Sequence, residues 1–282
     1  MAVLHAFCDE SEVRENGARV LAVVGAIGEP EAWGYFKEPW NGVLSLNQVP
    51  YFRASEFENR QGPYKDWNNG QRLAFHSSLI EVIGESMVIA FGAALLLDDY
   101  DALAPEAREA LGTPYELCAQ WAVRNVGYLL AKEPWKHVYG EDQVFFVFEE
   151  VPPGSGIGRL SEAFERSLKE RPERRLAGKP IWAKKADFVE LQVADMFAYE
   201  VAKDALRVSG ASERETRRSI AALAQRTTGQ MYLFNRPRLD HLVKHGITDI
   251  SEPDLPIPED EKVSASDGGS PQPPPSEPGE SS

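Results

Sequence analysis

Apolar and polar positions along this chain switch between two periods. Near the N-terminus, "AVLHAFCDES" (2–11) and "RVLAVVGAIG" (19–28) are short apolar runs, and Asn16-Gly17 between them is a hairpin signal. They predict two antiparallel strands. Pro30 then opens a helix through "EAWGYFKEPWNGVLSL", which is expected to be interrupted or ended near Pro39. "PYFRASEF" (50–57) reads as extended and "KDWNNGQ" as a turn. "RLAFHSSLIEVIGE" (72–85) reads as an amphipathic helix with Leu73, Leu79, Ile80 and Ile83 inward. "SMVIAFGAALLL" predicts a buried third strand, followed by a loop bearing Asp98, Asp99 and Asp101. A long helix over 113–133 starts at a capping box, Thr113 with Glu116, and has Pro114 at its first position. A fourth strand, "QVFFVFEE", is ended by Pro152-Pro153. A helix, "GRLSEAFERSLKER", a short strand, "KPIWAKKADF", and a last long helix, "FVELQVADMFAYEVA" (188–202), follow. A helical region at 212–226 and "RPRLDHLVKHG" close the ordered part.

Strands that alternate with helices in the second half call for right-handed crossovers and a largely parallel sheet. The hairpin at the front calls for an antiparallel edge. The expected fold is therefore α/β: a mixed five-stranded sheet flanked by helices, with the first and fourth strands as parallel neighbours. It occupies residues 1–250 as one domain, with a helical insertion at about 28–87 and a C-terminal helical extension at about 206–250.

Composition adds three constraints. The net charge is −14, and from Ser251 onward eight acids stand against one base, Lys262. That segment, 251–282, is rich in Pro, Ser and Gly, lacks aromatics, and reads as a disordered acidic tail. Such a charge does not suit a non-specific nucleic-acid binder. One stretch runs the other way: 165–185 has eight bases against three acids, and Arg174, Arg175, Lys179, Lys184 and Lys185 are its candidate phosphate contacts. Two cysteines, Cys8 and Cys118, in apolar runs give no disulfide framework. The N-terminus has no basic n-region, and no apolar run reaches the roughly 18 residues of a spanning helix. A cytoplasmic protein with no membrane partner is expected.

The candidate chemistry lies in carboxylates. Asp9 ends the first strand, Glu149 ends the fourth, and Asp195 lies in the first turns of the helix after the last strand. Asp195 and Gln192 share one helix face among apolar neighbours, where the bland expectation is that both meet solvent. If the first and fourth strands are parallel neighbours, their carboxyl ends open at one edge, where ligands gather in α/β sheets. Three converging oxygen ligands suit Mg²⁺ or Mn²⁺, which could activate a water on a phosphodiester. Strand alternation sends Glu10 away from Asp9, and Glu150 away from Glu149, which directly follows the apolar run. Glu56 in the insertion could lean over the site, and His76 on the next helix could position a water or phosphate. "GSGIG" (154–158) lacks the spacing of a phosphate loop, and His241 and His245 lack a third ligand.

"FCDES", "FRASEF", "FVFEE" and "LQVADMFAY", in that order, resemble the family known as domain of unknown function 3800 over roughly residues 3–205. The resemblance implies an RNase H-like fold. Carried onto matching positions, it selects Asp9 and Glu10, Glu56, Glu149, and Gln192 with Asp195. Here Glu12 stands where the family usually has glycine, and the later strand ends in glutamate where aspartate is usual. The implied activity is a Mg²⁺- or Mn²⁺-dependent nuclease acting on DNA or RNA. The alternative is a catalytically inactive RNase H-like interaction module, of the kind found in mobile-element or phage-defence systems.

Overall fold

A computed structural model describes residues 2–86, 88–132, 134–139, 141–150, 157–170 and 175–245. The acidic tail and Pro152-Pro153 lie outside the described residues, as does the first part of "GSGIG". The first two strands, β1 (Val3–Glu15) and β2 (Ala18–Gly28), form the expected hairpin. Asn16 and Gly17 both take positive φ, 51° and 87°, which is the left-handed geometry that a two-residue turn between twisted strands demands.

The insertion carries α1 (Pro30–Leu46), α2 (Ala54–Glu58) and α3 (Asn69–Glu85). Three expectations are corrected there. Helix α1 runs straight through Pro39. Pro39 sits on the exposed side, so water can meet the carbonyl that its ring leaves without a donor, while Trp33, Phe36, Trp40 and Leu44 stay buried on one face. The second half of "PYFRASEF" is helical rather than extended. Leu73, expected inward on α3, is 60% exposed, whereas Leu79, Ile80 and Ile83 are buried as expected.

β3 (Ile89–Leu96) follows, and the three aspartates after it lie on or beside a short helix, α4 (Leu97–Asp101), rather than in a loop. Then come α5 (Pro105–Leu111) and α6 (Pro114–Ala131). The α6 start is the expected capping box: the Thr113 side chain accepts from Glu116 N, and Glu116 Oε2 accepts from Thr113 N at 2.6 Å. The rest of the described chain is α7 (Trp135–Tyr139), β4 (Gln143–Glu149), α8 (Ile157–Glu170), β5 (Ile181–Ala183), α9 (Glu190–Val208), α10 (Arg218–Arg226), β6 (Gly229–Phe234) and α11 (Arg236–His245).

The sheet is mixed and six-stranded, in the order β5-β4-β1-β2-β3-β6. It has one strand more than expected. β6 belongs to the region read as purely helical, and it pairs parallel to β3. Its six residues, "GQMYLF", are too short and too weakly alternating to stand out from their flanks. β1 and β4 are parallel neighbours as expected, in register from Val3 with Gln143 to Cys8 with Phe148.

Helices cover both faces. On one face α9, α1 and α3 pack over Phe7, Val24, Ala90 and Val147, in a core joined by a run of aromatic contacts through Trp33, Phe36, Trp40, Phe52, Phe57 and Phe75. On the other, α6 packs against β2 and β3, and Phe164 of α8 meets Phe146 and Phe148. Gly25 lies close against Phe91 in the sheet. A Cβ on Gly25 would come within 2.4 Å of the Phe91 ring, so no side chain fits there.

Candidate functional site

The last paired residues of β1 and β4 are Cys8 and Phe148. Asp9 and Glu149 are the next residues of each strand. They therefore emerge side by side, on the face that α9 covers, because alternation gives equivalent positions of parallel neighbours the same direction. β5 extends the edge in the same sense and pairs parallel to β4 through Ala183 with Glu149. Two residues past β5 stands Lys185, and from there the chain turns into α9.

Lys185 is 5% exposed. Its Nζ lies 2.7 Å from Asp9 Oδ2, 2.8 Å from Glu149 Oε2 and 3.0 Å from Asp195 Oδ1. Three carboxylates from β1, β4 and α9 thus meet on one ammonium. An ammonium has three N–H donors, and three carboxylate oxygens lie within ion-pair distance of this one. This corrects the expectation that Lys185 is a surface contact for nucleic acid. Its signal was present in the sequence: "IWAKK" ends a strand at the same edge as Asp9 and Glu149. The density of bases around it masked that position.

Asp195 and Gln192 do not meet solvent, at 6% and 4% exposed. The insertion covers their side of α9. Asp195 Oδ2 accepts from Ala54 N at 2.6 Å, Gln192 Oε1 accepts from Trp40 Nε1 at 3.0 Å and from Phe52 N at 2.8 Å, and Gln192 Nε2 donates to Lys185 O at 3.4 Å. The two side chains satisfy backbone N–H groups of the segment leading into α2, which would otherwise be buried without acceptors. They therefore hold the insertion onto the helix that carries the site.

Asp9, Glu10 and Glu149 each offer a carboxylate oxygen, and these atoms lie within 4.8 Å of one another, close enough to hold one metal ion. Glu10 starts from the opposite face, yet its carboxylate joins Asp9 and Glu149, and its backbone N–H donates to Asp9 Oδ1 at 2.8 Å. Glu10 Oε2 is buried and accepts no hydrogen bond. Glu150 is exposed and stays outside the group, so of the two glutamates it is Glu149 that faces the site.

The titration of these groups follows from their crowding. Burial pushes the Asp9 carboxyl well above the usual carboxylate range against the pull of Lys185, and the neighbouring Glu149 and Asp195 push the same way. Burial, then the charge of Glu149, pushes Glu10 up to about 7. Burial acts upward on Glu149 too, but a hydrogen bond from Asp9 and the Lys185 ammonium outweigh it and hold Glu149 low. Arg53 adds to that effect; it is exposed and leads into α2, at the rim of the cluster. Neither Arg53 nor the role of Lys185 was anticipated from sequence.

The other sequence candidates lie elsewhere. Glu56 folds over the positive-φ turn at Gly62, with its Oε2 3.1 Å from where a Gly62 Cβ would sit. His76 packs its ring on Phe57, with centroids 5.1 Å apart, away from the carboxylates. Of the basic segment, Arg174 lies outside the described residues. Arg175 donates to Tyr139 O, Lys179 is paired with Glu165, and Lys184 is exposed. His241 and His245 are exposed at the end of α11. Cys8 and Cys118 are buried and free. Among the described residues, no helix is long and apolar enough to cross a membrane. No protein-family model and no curated protein matches this sequence.

Proposed function

We propose that this protein is a divalent-metal-dependent nuclease that hydrolyses phosphodiester bonds of DNA or RNA, and that strands β5-β4-β1-β2-β3 are an RNase H-like core to which β6 is added. The observation that carries the reading is the convergence of Asp9, Glu10 and Glu149 at the carboxyl ends of two parallel strands, braced by Asp195 of the helix packed against them. All-oxygen donors suit Mg²⁺ or Mn²⁺. When bound, such an ion supplies a more acidic water and neutralises charge on the phosphoryl oxygens. Asp9, Glu10 and Glu149 would hold it. Arg53 and Lys184, exposed at the same edge, would receive the negative phosphates that a net charge of −14 otherwise repels.

A second reading is favoured by one observation. Lys185 already partly neutralises the acids, as it would in an inactive interaction module that keeps only the fold. Purified full-length protein incubated with DNA or RNA, with and without Mg²⁺ or Mn²⁺, separates the two. Metal-dependent cleavage, lost in Asp9→Asn, is expected. At a hundredfold excess over its dissociation constant, the ion should also stabilise the wild type by about 2.7 kcal/mol, and Asp9→Asn should lose that shift. Absence of both cleavage and saturable metal binding would decide for the inactive module.

A further inference from the structure

We infer that Lys185 permanently fills one of two cation positions in the acidic cluster, so that the site takes a single divalent ion, held by Asp9, Glu10 and Glu149, and not by Asp195. The inference rests on the metal-dependent reading above and narrows it.

Four carboxylates crowd this edge, and they fall into two overlapping sets. Asp9, Glu149 and Asp195 surround the Lys185 ammonium. Asp9, Glu149 and Glu10 form the group with metal-ligand spacing. Asp9 and Glu149 are common to both, as bridging carboxylates are in two-metal sites, where the ions stand about 4 Å apart. The ammonium occupies the place of one ion. Glu10 Oε2 and Asp9 Oδ2 are both buried without a hydrogen-bond donor; the ammonium lies 2.7 Å from Asp9 Oδ2, and Glu10 Oε2 marks the place of the other cation.

Asp195 is fully committed. One of its oxygens meets Lys185, and the other accepts the Ala54 N–H. Moving it onto a metal would uncover a buried amide and unpair a buried ammonium. Lys185 is equally fixed. Its ammonium stands within 3.0 Å of three carboxylates, its carbonyl is held by Gln192, and the preceding carbonyl, of Lys184, accepts from the N–H groups of Asp187 and Phe188. No outward rotation of Lys185 is possible without stranding three carboxylates. The composition agrees: four carboxyl groups face a single ammonium, which leaves room for one further cation.

The test is Mn²⁺ stoichiometry on the full-length protein, measured by equilibrium dialysis or by the electron paramagnetic resonance of free Mn²⁺. One ion per chain is expected for the wild type. Lys185→Met, which keeps the stem and removes the charge, should raise the count to two or tighten the first site by at least about tenfold. Asp195→Asn, which keeps Lys185, should retain one ion with its affinity changed less than about threefold, and it serves where Lys185→Met does not fold. Two ions on the wild type would overturn the inference and leave the metal-dependent reading standing. So would a tenfold or greater loss of affinity in Asp195→Asn, or a folded Lys185→Met with unchanged count and affinity. No bound ion on the wild type would overturn both.

Discussion

Helix α9 carries two buried charge clusters, and they are built differently. At its start, Asp195 joins Asp9, Glu10 and Glu149 around the single cation of Lys185. Farther along, Glu200 joins Glu58 with Arg217 and Arg72. In this second cluster, Arg217 grips Glu200 with two nitrogens, Nε at 3.0 Å and Nη2 at 3.1 Å, and also pairs with Glu58. Arg72 takes the other oxygen of Glu58 at 2.8 Å and donates to Phe57 O. Two acids face two guanidinium groups, which hold Glu58 below the usual carboxylate range despite its burial. That cluster has one cation for each acid, and it ties α2, α3, α9 and the start of α10 together. The first cluster has four acids and one base. The difference separates a clamp with one cation for each acid from a carboxylate-rich group that could hold a metal ion.

The largest expected effect comes from breaking the balanced cluster. Arg217→Met keeps much of the side-chain volume but strands Glu200, which is buried, and leaves Glu58 with Arg72 alone. Removing one partner of a buried pair costs about 3–5 kcal/mol, and denaturant unfolding at neutral pH should show a loss of that order. Asp9→Asn in the unbalanced cluster should behave oppositely, leaving the metal-free protein as stable as before or more so, because it removes an acid that burial and crowding already push toward its neutral form. A loss below 1 kcal/mol in Arg217→Met, or a large loss in Asp9→Asn, would erase the distinction.

A smaller effect is expected from the link between the site and the insertion. Gln192→Ala leaves Trp40 Nε1 and the Phe52 N–H buried without an acceptor. At about 1–3 kcal/mol per unsatisfied group, partly relieved by water, unfolding experiments should show a loss of about 2–4 kcal/mol. Mn²⁺ stoichiometry should not change, since Gln192 reaches the cluster only through the Lys185 carbonyl. A changed metal count would make Gln192 part of the ion site rather than of the frame around it.

How far each feature could be read from the sequence follows from how local its cause is. The hairpin at Asn16-Gly17, the α6 capping box and the parallel pairing of β1 with β4 rest on short-range signals or on connection rules, and all are present. The convergence at the sheet edge followed from the same rules, because strand ends are fixed by topology. The burial of Gln192 and Asp195 was not legible, since it depends on the insertion folding back over α9. Nor was the pairing of β6, whose few apolar residues gain their meaning only beside β3. Lys185 was misread for a related reason. Charge density along the chain suggested an exposed basic surface, whereas three acids distant in sequence decide where this one lysine points. Glu200 and Arg217 carry no local signature at all, and their role appears only with the packing of α10 against α3 and α9.

The smallest predicted effect tests the balanced cluster from its edge. His76 packs on Phe57, and burial, the largest cause, lowers its pKa to about 4; the nearby Arg217 and Arg72 push the same way, and only Glu58 opposes them. In the unfolded chain the same imidazole titrates near 6.5. Above pH 6.5 it is neutral in both states and the native contact is intact. As the pH falls from there toward 4, the unfolded chain takes a proton that the folded one refuses, so stability is lost with falling pH at about 1.4 kcal/mol per unit, or about 2 kcal/mol by pH 5. Carboxylates titrate over part of that range too, so the informative quantity is a difference between two proteins. His76→Gln removes the titration while keeping a polar side chain of similar reach. Its stability relative to wild type should therefore rise by about 2 kcal/mol on going from pH 7.5 to pH 5, as read from denaturant unfolding at the two values. A difference that stays constant with pH would mean that His76 protonates freely in the folded state. The two arginines would then leave Glu58 enough free charge to accept it, and the second cluster would be as incomplete as the first.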